Sequence, residues 1–568
     1  MDQRSPLDRL ADTYHDAQCR LDPVHATLSG AVGFDDRLPD YSPDGWAERL
    51  ALRRATLLRL ASLPVTTERD AVTASILRER LEAEAAYLDC GIASSVNVVV
   101  SPPMLIRECA GQADTASEAG ARALEARLRA VPDALFGYLR TLTHEAANGR
   151  PAVREQAEVV AMVARAWSGD AMFTGLAETA AAGGAAGSPA LQRDLTAAAT
   201  AAAAAYADFA DGLEREVLPR AIADDAAGPE AYGAAARYFL GVDLDMEATY
   251  EWLADRLRSV EEEARALARD IKPGADLREV CDHLDADPAW CVGTVELEGW
   301  LRERLDLAFD IVRGHVFDAP EELRTIEAVV PEPGEAGPIR YLPPAADLSR
   351  PGRVIWPSQG GPITPVWSQV TTIHHEGVPG HHLQMGAAVL DSGLSSWQRH
   401  LNVPGHAEGW AVYAEGLMFQ LGVLDGPPGL GYLMGLRANL AVALADIGTH
   451  ARLPMVATAG AEAGERWTRE RATAFLRENS TIPEPMLAFT TLRGSAWPGQ
   501  ALTYAYGAKI WHDAGETARR RLGSGFDPRR FHARMLGLGP CGLSAVTDAA
   551  AASAVDSVRP SLPPGARR

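Results

Sequence analysis

The chain has 568 residues, is 47% hydrophobic and 23% charged, and carries a net charge of -22. That is ample apolar material for a buried core, and length alone suggests about two to four domains. The acidity excludes nucleic acid as a partner, because phosphate binding needs a basic patch and no long Lys/Arg run is present.

The chain opens polar. No apolar stretch follows residues 1–6 that would serve as a signal peptide, and no run of about 18 apolar residues would span a bilayer. The six cysteines are scattered and none forms a C-x-x-C pair. They read as free thiols in a reducing compartment rather than as a disulfide or thiolate-metal framework. The expectation is a cytoplasmic protein without membrane contact, present as a monomer or homodimer.

Residues from about 5 to 310 read as helical. Segments 50–60, 70–88 and 119–142 place apolar residues three and four apart, with Pro and Gly as punctuation. Residues 179–189, rich in Ala and Gly, read as a connector, and the alanine tract up to Tyr206 reads as a helix. Together residues 1–320 form an expected helical N-terminal lobe.

The texture changes after Glu322. Residues 326–330, 338–342 and 353–356 read as short strands separated by Pro-Gly turns. This small sheet, within 321–360, is expected beside the histidine-rich helix that follows it near residues 372–384. A strand there either pairs with extended substrate backbone or is a structural hairpin. From Trp367 to about Leu522 the pattern is helical again, and residues 560–568 read as a frayed end. The fold class is mostly α with a small sheet. The second lobe, 321–568, holds the chemistry, or the two lobes are one continuous fold unit.

That chemistry is concentrated in Thr372-Ile373-His374-His375-Glu376-Gly377-Val378-Pro379-Gly380-His381-His382-Leu383-Gln384, where four of the fourteen histidines fall within nine residues. Neutral imidazoles suit a hydrolytic zinc, and an adjacent carboxylate suits proton transfer from a water. In a zinc-binding helix H-E-x-x-H puts both rings on one face. Here the offset from His375 to His381 is six, which on a straight helix turns the rings roughly 120° apart. Pro379 removes a backbone donor and Gly380 permits unusual backbone angles, so a break or bulge there would bring His381 back to the His375 face. His381 is therefore the expected second ligand. His382, about 10.5 Å along a straight helix from His375, is the reserve.

The third ligand is expected from Gly405-His406-Ala407-Glu408-Gly409-Trp410-Ala411-Val412-Tyr413-Ala414-Glu415. Glu408 is the metal ligand of choice, and Glu415, seven residues on and facing the same way, is placed to orient a ligand imidazole. The apolar residues around them suggest burial, where an unpaired carboxylate is costly. One zinc ion per chain is the expected cofactor, although manganese, iron or cobalt also suit these donors.

The string His-Glu-x-x-Pro-Gly-His-His-x-Gln at His375 to Gln384 resembles the signature of the bacterial domain-of-unknown-function family numbered 885. So does Glu408-Gly409-Trp410-Ala411-x-Tyr413-Ala414-Glu415. Further matches are Asp446-Ile447-Gly448-Thr449-His450, Arg466-Trp467-Thr468-Arg469-Glu470, and Pro498-Gly499-Gln500-Ala501-Leu502-x-Tyr504. Near the start, Asp22-Pro23, Ala26-Thr27-x-x-Gly30 and Asp35-Asp36-Arg37-Leu38 fit as well. The resemblance covers most of the chain. It implies the gluzincin metallopeptidases, whose helical members include carboxypeptidase Taq and thimet oligopeptidase, and with them a multi-helix bilobal cleft fold. Those relatives use H-E-x-G-H, and dipeptidyl peptidase III uses H-E-x-x-G-H. This chain is one residue longer again, and aligning the shared Gly-His points to His381.

The roles follow. Glu376 is the expected general base. Tyr504 is the oxyanion donor that the gluzincin resemblance implies, or else a packed aromatic. His450, after Asp446, is a transition-state donor or a satisfied core histidine. Arg493 is a candidate clamp for a substrate carboxylate, with Gln500 beside it as substrate-binding. Gln384 is a candidate partner for a ligand, and His374 a polar residue of the helix. The expected function is a zinc-dependent peptidase, carboxypeptidase- or oligopeptidase-like, acting on short peptides. The alternatives are a zinc hydrolase of a small non-peptide amide and an inactive metal-binding scaffold.

Overall fold

Helix starts are written plainly in this chain. Ser5, Asp22, Ser42 and Ser188 each cap a helix through the side chain, and each is followed by a proline at the first helical position. The side-chain oxygen satisfies a backbone N–H that has no partner within the helix, and proline gives up a donor that would be orphaned anyway. The computed structural model describes residues 4–314, 316–331, 338–345, 348–358, 361–457 and 464–552. They are mostly helical, with five short strands. The frayed end expected at 560–568 and the Pro-Gly turn at Pro333-Gly334 lie outside these residues.

Contacts divide the chain into two units, one of Met1–Ala235 with Phe489–Pro498, the other of Ala236–Ala488 with Gly499–Arg568. In the first, the helix Pro189–Gly212 packs against the helices Glu118–Arg129 and Arg154–Ser168. The alanine tract is what allows this. Ala198, Ala199 and Ala202 are buried, and their short side chains let neighbouring helices approach, while Tyr138, Tyr206 and Phe209 fill the remaining space. The expected connector at 179–189 begins in fact as the end of a helix, Met172–Ala182. The returning segment is tied in by buried Gln156, whose amide donates to the carbonyl of Leu492 (2.8 Å) and to Ser495 Oγ (2.9 Å).

The second unit carries all five strands. Strand β1 (Cys291–Gly293) pairs antiparallel with β5 (Ile363–Pro365). Strands β2 (Ile326–Val329), β3 (Arg340–Leu342) and β4 (Gly352–Ile355) form a second sheet in the order β2-β4-β3, with β2 parallel and β3 antiparallel to β4. The helix Pro427–His450 packs on Met246–Ile271. By length and composition it could cross a membrane, but its most apolar window is 78% buried within the fold, as in a core helix. The helix Pro404–Gln420 packs on Ala505–Leu522. At that crossing Gly409 and Gly507 bring the backbones together. A Cβ on Gly409 would stand 2.6 Å from the Gly507 carbonyl carbon, so both positions need to lack a side chain. All six cysteines are free thiols.

Candidate metal centre

The chain does not run through the histidine cluster as one helix. A first helix, Val370–Glu376, ends at Gly377, and a second, His381–Leu390, begins after Gly380. The Val378–Pro379 peptide between them is cis. The Gly380 amide donates to His374 O at 2.9 Å and the His382 amide to Gly377 O at 3.1 Å. A Cβ on Gly380 would lie 1.9 Å from the His375 carbonyl oxygen and 2.4 Å from that of His374. Gly380 has φ of -72°, so the need for glycine is one of space and not of left-handed backbone. Buried His374 braces the same turn, its Nδ1 lying 3.0 Å from Val378 O.

This break puts the two rings together. The His375 and His381 ring centres are 4.8 Å apart and nearly perpendicular. Glu408, on the helix Pro404–Gln420, completes the group, with Oε2 at 3.4 Å from His375 Nε2 and 3.6 Å from His381 Nε2. One donor atom from each residue lies within 4.8 Å of the others. Tetrahedral ligands about 2.0–2.1 Å from a zinc ion would stand about 3.3 Å from one another, so the spacing suits a common cation. The His375-His381-Glu408 group can therefore hold a metal ion.

The charges around the group point the same way. Burial alone would raise the Glu408 carboxyl, but the two imidazoles outweigh it and hold the group well below the carboxylate range. Burial likewise disfavours the charged His375 ring, yet bonds to Glu408 and Glu415 lift it well above the ordinary value. Glu376, 6% exposed, is pushed up chiefly by burial, against the pull of His375 and His381. Three carboxylates thus crowd two imidazoles in a largely dry site, a balance that a divalent cation would offset.

Glu415 lies behind His375. Its Oε1 is 2.8 Å from His375 Nδ1, and its Oε2 accepts a hydrogen bond from the Thr371 hydroxyl. His382 faces elsewhere. Nδ1 is 2.8 Å from the Tyr341 hydroxyl and Nε2 is 2.7 Å from Leu323 O, so both ring nitrogens of the reserve ligand are occupied. Gly352 of β4 makes room for that contact, since a Cβ there would meet the Tyr341 oxygen at 2.3 Å. Gln384 donates not to a ligand ring but to His406 O at 3.0 Å, and its amide nitrogen lies 3.1 Å from His406 Nδ1. Thr371, Tyr341 and His406 were not singled out from the sequence. Their roles depend on contacts between segments 22 to 44 residues apart.

The remaining candidates are spread out. Gln500, buried, lies in the short helix Gln500–Thr503, which packs against the helices of Glu408 and of His450. Half-buried Tyr504 follows it and opens the helix Ala505–Leu522. His450, 1% exposed, has Nε2 3.8 Å from Asp446 Oδ1. The Asp446 carboxylate accepts the Gly499 amide at 3.1 and 3.3 Å. Arg493 belongs to the first unit, where its guanidinium stands 5.6 Å from the centre of the Trp497 ring.

A family model described as "Bacterial protein of unknown function (DUF885)" matches residues 23–549. Solved structures that share the fold include the following two. One is described as a "putative lipoprotein" from Colwellia psychrerythraea, with TM-score 0.81 and 20% identity over 96% of this chain and 98% of that one. The other is a "putative lipoprotein of unknown function" from Shewanella oneidensis, with TM-score 0.75 and 17% identity over 96% and 99%. PZ peptidase A with an inhibitor aligns at TM-score 0.34 and 10% identity over 96% and 94%, a score at which it carries no argument. No curated protein matches. The cytoplasmic expectation does not survive this comparison, because these two structures, which share the fold over nearly their whole length, are each described as a "putative lipoprotein". A polar start and scattered thiols were too weak a basis for it.

Proposed function

The chain belongs to the bacterial family of unknown function DUF885, and on that footing we propose that it is a zinc-dependent hydrolase of gluzincin type that cleaves peptides. One observation carries the reading. His375, His381 and Glu408 converge within 4.8 Å, and Glu376, next in sequence to His375, is buried, which raises its proton affinity against the pull of the two imidazoles.

When bound, the cation would supply a Lewis acid for the scissile carbonyl and lower the pKa of a water toward about 7. The residues do the rest. Glu376 takes a proton from the attacking water and returns it to the leaving amine. A raised carboxyl suits both directions of that transfer better than an ordinary one. Glu415 fixes the His375 ring through Nδ1, and Thr371 fixes Glu415. Tyr504 is the proposed donor to the developing oxyanion, Gln500 a proposed substrate contact and His450 a proposed transition-state donor.

The test is a purified chain assayed for bound metal and for cleavage of short peptides, beside E376Q. Cleavage by the wild type, abolished in E376Q with the metal retained, supports the reading. A zinc-loaded wild type that leaves peptides intact but opens small amides moves the activity to non-peptide substrates. One that hydrolyses neither overturns it.

A further inference from the structure

The two imidazoles are held by different means. His375 has a carboxylate on its second nitrogen, Glu415 at 2.8 Å. The second nitrogen of His381, Nδ1, is buried and has no hydrogen-bond partner among the described residues. A ligand ring without such a partner is free to tilt unless something else fixes it.

That something is Trp410. Its indole N–H reaches the carbonyl oxygen of Pro379 at 2.8 Å and that of Gly380 at 3.3 Å, the two peptide units that lead directly into His381. The indole is itself enclosed on all sides. It is 0% exposed and packed against Trp511 (ring centres 4.9 Å apart), Phe317, Tyr413 and His532 (5.8 Å each). Trp410 also follows Glu408 by two residues on the same helix, so one side chain ties the carboxylate ligand's helix to the turn that carries the second histidine. From the other side, Gly380 packs on the last carbonyls of the first ligand helix.

We infer that Trp410 is a positioning residue for the metal: its indole N–H sets the orientation of His381 through the backbone, as Glu415 sets that of His375 through the ring. The inference rests on the metal-site reading and not on which bond is cut.

Tryptophan to phenylalanine at 410 keeps an aromatic ring and removes the N–H. W511F makes the same exchange at the neighbouring ring, whose N–H points to His406 O at 3.3 Å, away from the turn. Far-UV circular dichroism and thermal midpoints of the metal-free proteins show whether both variants fold. Zinc affinity is then read by chelator competition, and the visible spectrum of the cobalt-loaded proteins reads the ligand geometry.

W410F is expected to bind zinc about 10–100-fold more weakly, with an altered cobalt spectrum, while W511F stays within about threefold of the wild type. W410F with wild-type affinity and spectrum overturns the inference alone. Equal losses in both variants also overturn it, because they show packing to be the cause. A wild type that takes up no divalent metal overturns the hydrolase reading and this inference together.

Discussion

Glu415 and His375 form the best-anchored pair of the centre: Oε1 of the carboxylate is 2.8 Å from Nδ1 of the ring, and Thr371 holds the other oxygen. Removing that anchor frees the ring of a proposed ligand. Glu415→Ala is expected to weaken zinc binding about 10–100-fold. Chelator competition checks it, and an unchanged affinity would remove Glu415 from the centre.

Metal binding is expected to stabilise the fold, because the unfolded chain has no assembled site. At a free zinc concentration of 100 times Kd the gain is about 2.7 kcal/mol. Thermal scans with and without zinc read it as a rise in Tm that a chelator reverses. Glu408→Ala should abolish the rise. A rise that persists in this variant would place the binding elsewhere.

The Gly380 contact gives a paired prediction. Gly380→Ala drives a Cβ into the His375 carbonyl and is expected to cost about 1–3 kcal/mol or more, along with zinc affinity. Gly435, exposed within the helix Pro427–His450, has nothing within 4 Å of a built Cβ. Gly435→Ala should instead stabilise by about 0.4–1 kcal/mol. Denaturant titration of both variants decides, and the same sign for both would refute the contact argument.

The first half of the histidine motif was legible from residue types: His375 with Glu376, and a carboxylate on a later helix. The six-residue offset to His381 was also legible as a demand for a break at Pro379 and Gly380, since a straight helix cannot meet it. What replaced the straight helix was not legible. The turn is closed by His374, by the Gly380 contact and by Trp410, and these partners lie up to 31 residues apart. The choice between His381 and His382 was equally a matter of tertiary structure, because it turns on Tyr341 and Leu323 occupying the His382 ring. The strands at 326–329, 340–342 and 352–355 could be read from alternation and turns, but their order, with β4 between the other two, could not. β1 and β5, three residues each, carry too little pattern to be seen.

Buried His532 gives a pH signature away from the metal. Its Nδ1 lies 2.8 Å from Val316 O and its Nε2 2.9 Å from the Tyr413 hydroxyl. Burial lowers its pKa from the ordinary 6.5 to about 4. The folded chain therefore binds fewer protons than the unfolded one between these values. The stability it contributes is complete above pH 6.5 and is lost as pH falls toward about 4. Integrated to pH 5 the loss is about 2 kcal/mol. Denaturant titrations in chelator at pH 7.5 and pH 5 should show it, and H532F should flatten the dependence while being less stable at pH 7.5. An unchanged pH slope in H532F would contradict this assignment.

The ten residues Phe489–Pro498 that rejoin the first unit mean that neither half of the protein is a single stretch of gene. A fragment stopped at residue 235 would strand the Gln156 amide without its acceptors, and one begun at 236 would carry a loose length of chain in its middle. Dissection by simple truncation will misreport both halves. A faithful split needs the 489–498 peptide supplied in trans or grafted through a linker.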